Sequence, residues 1–332
     1  MIMEPTPTQA ELETAHCWFD SDKAGGAEMT EFKRLARYRQ HRWATEVKGV
    51  RAFGTHSRTR GGGVTEVENG TKLLNEDADR GLNFLTRGAH AAAMDRVAQK
   101  QPHETLDERR LRRDLLSSMP MAFNLFGDAA RADNNASRAA LARVFGVADA
   151  PVSDLVFEWS PERRSDAYTR DRTAFDVALR LGDESAPRTV VGIETKYHEH
   201  CARETRPSPA KAEARQRHDQ QTAFLVEIAE RSGVFASGWQ DAVLDTDLRQ
   251  LWRDHLLALS MRNRTDLWTT ETRYVLLFPR RNVSFAAAAE RYNAVLAEPG
   301  GSFAALAIED VVDSAFLDTP DAAQLFRQRY LW

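Results

Sequence analysis

The chain has 332 residues, enough for two domains or for one domain with large elaborations. Its 45 Lys and Arg against 49 Asp and Glu leave a net charge of −4, which excludes a protein that is basic overall but leaves room for a local basic groove. With 42% hydrophobic and 28% charged residues, the composition is that of a globular chain with a sizeable core and excludes a disordered one.

In chain order, residues 1–65 read as an N-terminal helical arm and a flexible loop, because Phe32, Leu35 and Ala36 recur at helical spacing and Arg58–Gly63 ends in three glycines. That run is no phosphate-binding loop, since no Gly-Lys-Ser/Thr follows it. A second unit, 66–332, opens with helical periodicity over 70–146, from Leu73, Leu74, Ala78 and Leu82 to Leu115 and Leu116. Asn134 and Asn135 cap its last helix and Gly146 ends it. The texture then changes to three strands, Val152–Trp159, Ala174–Leu181 and Arg188–Tyr197, with a hairpin connection at Gly182–Pro187. Helices follow over 209–231 and 246–261, then a strand over Thr272–Phe278, then helices near 284–297 and 303–316. Three meandering strands, a crossover helix and a returning strand give an α/β fold with a mixed sheet flanked by helices.

Chemistry concentrates in Thr173-Ala-Phe-Asp176-Val and Gly192-Ile-Glu194-Thr-Lys196. Side chains alternate along a strand, so Glu194 and Lys196 share a face, and Asp176 reaches that face if the two strands pair. Two carboxylates offer hard oxygen to Mg²⁺ or Mn²⁺, and a lysine beside them can orient a water and neutralise charge on a phosphate. Seven lysines among 49 acids in 332 residues give about one acid-x-lysine triplet by chance, and the chain has three. Glu31/Lys33 and Glu46/Lys48 fall in an Arg-rich helical stretch and read as solvated charge pairs; only Glu194/Lys196 follows an apolar strand core. The plain alternative there is a surface ion pair on a sheet edge.

This arrangement resembles the PD-(D/E)XK nuclease superfamily, the restriction-endonuclease-like fold, and in particular a bacterial branch of it. The likeness is carried by Ser117–Gly127 (SSMPMAFNLFG), Thr173–Val177 (TAFDV) and Gly192–Glu199 (GIETKYHE), and it touches Trp252–Leu257 and Tyr274–Phe278. It spans roughly residues 70–316. The resemblance implies Asp176 and Glu194 as metal ligands, the Thr195 main-chain carbonyl as a further ligand, and Lys196 as the catalytic lysine. The chain departs from the pattern in one place, where Phe175 stands for the motif's proline. Many members add a further acid; Glu158, Glu108 and Glu76 are candidates for it, each otherwise a solvated acid on a helix or strand end. Glu199 reads as a supporting acid or as a turn residue.

From 202 to 218 five Lys and Arg face two Glu, a local +3. Arg215, Gln216, Arg217 and Gln220 there read either as phosphate contacts or as an ordinary polar helix start. Gln250, Arg253 and His255 sit on the next helix, His255 on its buried side. His198, His200 and Cys201 lack a second ligand pair at zinc-finger spacing.

The function read from all this is a metal-dependent nuclease hydrolysing phosphodiester bonds, in DNA before RNA, with restriction or phage defence as the setting. The rival is an inactive nucleic-acid-binding or assembly subunit that keeps the fold. Two distant cysteines, Cys17 and Cys201, fit a reducing cytoplasm. No run approaches the roughly 18 apolar residues of a membrane span. A homodimer or a defence-system partner protein is the further partner expected.

Overall fold

The computed structural model describes residues 5–24, 30–60, 63–131, 133–147, 152–182, 187–262 and 271–332. The chain opens with α1 (Gln9–Thr14), α2 (Asp20–Ala24) and α3 (Glu31–Arg42), and α3 runs into a π-turn over Trp43–Val47. The hydroxyls of Thr8 and Thr30 accept from backbone N–H groups three residues on, which caps α1 and α3. The chain is then strand. β1 (Phe53–Arg60) and β2 (Gly63–Leu73) form an antiparallel hairpin apart from the main sheet.

The hairpin corrects two expectations. The glycine run read as a flexible loop is where two strands meet, with residues 61 and 62 outside the described ones, and Leu73 belongs to a strand rather than a helix. The far half of β2 is exposed on both faces, so no alternating apolar pattern announces it.

Five helices follow: α4 (Asn75–Asp79), α5 (Arg87–Ala98), α6 (Glu108–Arg113), α7 (Ser118–Phe126) and α8 (Asn135–Val144). Thr86, Asp107, Ser117 and Asn134 cap the last four. Beyond α8, Gly146 takes a left-handed φ of 73°, which only glycine adopts freely. α7 is apolar almost all round and buried accordingly, wedged between the sheet and its neighbouring helices.

The main sheet has the order β3 (Val152–Trp159), β4 (Phe175–Gly182), β5 (Pro187–Thr195), β6 (Glu271–Phe278), β7 (Phe303–Ala307). The first three run antiparallel; β6 and β7 join parallel to β5. The crossover from β5 to β6 is made by α9 (Ala212–Ser232), α10 (Trp239–Val243) and α11 (Arg249–Ser260). Residues 183–186, the core of the expected Gly182–Pro187 hairpin, and residues 263–270 lie outside the described ones. α12 (Val283–Asn293) leads into β7, and α13 (Val312–Ala315) and α14 (Pro320–Tyr330) complete the chain. β7 corrects the helix expected over 303–316: Phe303 pairs with Tyr274 and Ala307 with Phe278, so Phe303–Ala307 extends the sheet. A five-residue apolar run fits either element until a parallel neighbour decides it.

Each sheet face carries its own core. Leu155, Phe157, Val177, Leu179, Val191 and Ile193 pack with α5, α7, α8, α13 and α14. Phe175, Ala178, Val190, Tyr274 and Leu276 pack with α9, α11 and α12, where Trp252 is fully buried. The ring of Phe175 lies over Gly192 on β5, in the space a side chain there would need. The N-terminal helices are tied into this body. Gln40 on α3 donates to the Tyr197 hydroxyl at 3.0 Å and accepts from Arg329 on α14 at 2.9 Å.

Candidate active site

β4 and β5 pair Val177 with Ile193, so the next step along sets Asp176 level with Glu194. β3 pairs Phe157 with Val177 and Trp159 with Phe175, which brings Glu158 level with Asp176. Three carboxylates thus stand in a row across three neighbouring strands at one end of the sheet. Asp176 Oδ2 accepts from the Thr195 N–H at 2.8 Å and from the Thr195 hydroxyl at 2.7 Å. Glu194 Oε1 accepts from Lys196 Nζ at 2.7 Å and from Gln250 Nε2 on α11 at 3.2 Å. Asp176, Glu194 and Lys196 are therefore held at one locus by two adjacent strand ends.

Burial and mutual repulsion set the charge state of this group. Burial pushes the Glu194 carboxyl up to about 7, with Asp176 adding to the effect. Burial likewise raises Asp176 against the opposing pull of Lys196. Burial alone would discharge Lys196, but Glu194, Glu199 and Asp176 outweigh it and hold its pKa above the ordinary lysine value.

Glu158 is 8% exposed and sits at a left-handed φ of 49°, which costs about 1–3 kcal/mol for a residue with a side chain. Arg96 and Arg163 hold that backbone by donating to the Glu158 carbonyl at 3.1 and 2.8 Å. Its carboxylate has no hydrogen-bond donor among the described residues, and burial, then Asp176 and Glu194, raise it to about 8. It also lines a cavity of about 830 Å³ between α5 and β3, the edge strand.

The other expected acids lie elsewhere. Glu76 and Glu108 are exposed on α4 and α6, Glu108 pairing with Arg112 at 3.1 Å. Glu199 closes a turn by accepting from the Tyr197 N–H at 2.6 Å, and Arg110 approaches it at 3.8 Å. Burial would raise Glu199, yet His198 and Lys196 hold it below the usual range. On α9, Gln216, Arg217 and Gln220 are exposed and Arg215 half-buried; Arg217 lies 3.7 Å from Glu213 of its own helix.

One acid escaped the sequence reading. Asp254 on α11 is 4% exposed, and its Oδ2 is buried with no partner among the described residues. Burial, then Glu194, drives its pKa well above the carboxylate range. The signal was available: Asp254 lies three residues from Leu251 and Leu257 and four from Ala258, on the apolar stripe of α11. His255 is the satisfied core histidine expected, bonded to the Tyr292 hydroxyl at 2.9 Å and the Ser302 hydroxyl at 3.0 Å, with burial lowering its pKa to about 3. Cys201 donates to the Asp247 carbonyl instead of facing a metal.

Among the described residues no three His, Cys, Asp or Glu side chains converge tightly enough to hold a metal ion by themselves. The donor set nevertheless fits a hard divalent cation. Glu158, Glu194 and Asp254 are buried and Asp176 is half-buried. Burial raises all four carboxyls, Lys196 acts on Asp176, Glu194 and Asp254, and a dication among them would favour their charged forms.

A family model described as the PD-(D/E)XK nuclease superfamily matches residues 21–332. The match takes in α3 and the β1–β2 hairpin, which the sequence likeness over residues 70–316 had left out. No curated protein matches, and no solved structure does.

Proposed function

The chain belongs to the PD-(D/E)XK nuclease superfamily, and on that premise we propose that it is a divalent-metal-dependent nuclease that hydrolyses phosphodiester bonds, in DNA before RNA. The observation that carries this reading is the pairing of Asp176 with Thr195 and of Glu194 with Lys196 at a single sheet end. Asp176, Glu194 and the main-chain oxygen of Thr195 would hold Mg²⁺ or Mn²⁺. The bound ion supplies Lewis-acid polarisation of the phosphate and a more acidic water.

The chain's own groups do the rest. Lys196, kept protonated by its acids, donates a hydrogen bond and offsets charge that grows on the phosphate oxygens. Gln250 fixes Glu194 so that one oxygen faces Lys196 and the other stays available. Glu158, without a donor and easily protonated, is the additional acid of the site. Arg215, Gln216, Arg217 and Gln220 are candidates for phosphate contact along α9. No helix among the described residues is long and apolar enough to cross a membrane. A cytoplasmic role in restriction or phage defence, as a homodimer or with a partner protein, completes the proposal.

The test is cleavage of supercoiled, linear and single-stranded DNA and of RNA with Mg²⁺, Mn²⁺ or EDTA. The expected result is metal-dependent cutting that EDTA abolishes. DNA that is bound but intact under every metal overturns the nuclease and leaves the inactive binding subunit.

A further inference from the structure

Around α6 the structure gathers positive charge that neighbouring acids cancel only in part. The helix reads Glu-Arg-Arg-Leu-Arg-Arg. Arg112 is engaged by Asp79 and by Glu108. Arg110 is nearly half exposed, and Glu199 stands 3.8 Å from it, a loose pair. Arg113 donates Nε to the Leu73 carbonyl at 2.8 Å, and its guanidinium lies in the space left by Gly54 on β1, where a Cβ would meet it at 2.7 Å. Arg109, one turn before Arg113, has no ion pair or hydrogen bond among the described residues. Burial, then the charge of Arg109, holds Arg113 below the ordinary arginine value.

Like charges four residues apart on a helix are destabilising by themselves, and an anion between them reverses the sign. Space for one is present. A cavity of about 300 Å³ lies between α6 and the hairpin, another of about 720 Å³ lies on the α4 side, and Arg109 and Arg113 line both. Three acids line the first cavity against four cations, Lys72, Arg109, Arg110 and Arg113, which leaves the cations a surplus of one. Glu66 accepts from Thr55 and Ser57 and also feels the charge of Arg109, Asp107 caps α6, and Asp114 pairs with Lys72 at 3.6 Å.

We infer that the notch between the β1–β2 hairpin and α6 is a binding site for the phosphodiester backbone of a nucleic acid, with Arg109, Arg110 and Arg113 as its cations. The site rests on the nuclease reading and names where that substrate lies. Arg110 reaches Glu199, and Glu199 acts electrostatically on Lys196 and Asp176, so a backbone seated on α6 lies beside the carboxylates. α9 is the rival: Arg217 lies 3.7 Å from Glu213, as loose a pair as Arg110 with Glu199, and Arg206, ahead of the helix, meets Asp219.

The experiment measures binding of the full chain to duplex and single-stranded DNA in EDTA, across a salt series, so that nothing is cut. Arg109→Glu with Arg110→Glu should weaken binding at least ~10-fold and lower the slope of log affinity against log salt by about two. Arg215→Glu with Arg217→Glu should weaken it less than about threefold. Both α6 residues are exposed, and Arg109→Ala, which removes charge without reversing it, should move affinity the same way in a chain whose melting curve is unchanged. An α6 variant that binds like the parent, an α9 variant that loses more, or a parent that binds no nucleic acid overturns the site. A parent that binds through α6 but never cuts leaves the site standing and removes the nuclease.

Discussion

Arg37 and Arg329 are as deeply buried as Glu194 and Asp254, yet the two polar regions are built differently. Arg37 meets both oxygens of Asp22, at 2.6 and 2.8 Å, and adds the Cys17 carbonyl at 3.0 Å. Arg329 bonds Gln40, the Asn83 carbonyl and the Asn83 side chain, at 2.9, 2.6 and 2.7 Å. Burial would raise Asp22, but its arginines and the Phe19 N–H pull it below the carboxylate range. At the sheet end the balance goes the other way, and Glu158, Asp176, Glu194 and Asp254 are all raised. A closed network holds the N-terminal helices and the C-terminal helix in place. An open one leaves its carboxyls short of donors, so that they hold protons which a bound cation would displace.

The largest effect on stability should come from breaking the closed network. Arg37→Ala leaves the buried Asp22 carboxylate with only Arg34 and the Phe19 N–H and should cost about 3 kcal/mol in urea unfolding, with cleavage per folded molecule unchanged. A loss below ~1 kcal/mol would erase the contrast between the two regions. Next comes the open one: Lys196→Ala should slow metal-dependent cleavage a hundred- to thousandfold, about 3–4 kcal/mol of transition-state stabilisation, while the circular dichroism spectrum stays that of the parent.

A third effect concerns pH. Glu194 and Glu158, raised to about 7 and about 8, keep protons that the unfolded chain releases near its ordinary carboxylate values. The native state therefore binds more protons between those limits, and stability falls as pH rises through them. Without metal the chain should be less stable at pH 9 than at pH 5 by about 2 kcal/mol, and Mg²⁺ should recover part of the loss. Asp254→Asn should flatten that slope; a chain whose melting temperature rises over the same range would contradict the open-network account. The smallest effect is Lys48→Ala. Lys48 donates to the Phe84 carbonyl at 3.2 Å, so its loss should cost under ~1 kcal/mol and leave the cleavage rate alone.

The pairing of β3, β4 and β5 was legible because long apolar runs separated by polar turns have few other readings, and register then brings Glu158, Asp176 and Glu194 level. The β1–β2 hairpin was not, because a ribbon exposed on both faces carries no hydrophobic period. β7 was misread because Phe-Ala-Ala-Leu-Ala suits a helix until β6 offers it a ladder. Asp254 was passed over because one acid among Trp252, Arg253 and His255 looks like part of a charged helix face; only the stripe through Leu251, Leu257 and Ala258 shows it pointing inward. Arg109 and Arg113 drew no notice because a run of arginines in sequence does not say which of them find acids.

The aromatic side chain that stands where the family motif has proline lies over Gly192 on the adjacent strand. Positions 175 and 192 are therefore a size-matched couple, and their histories are bound together. A methyl group at 192 is admissible only after the ring at 175 has been exchanged for something smaller, whereas the reverse sequence of changes passes through a clash beside Asp176. Gly192 is therefore entrenched by the ring at 175, whereas position 175 can change independently of its neighbour as long as the glycine stays.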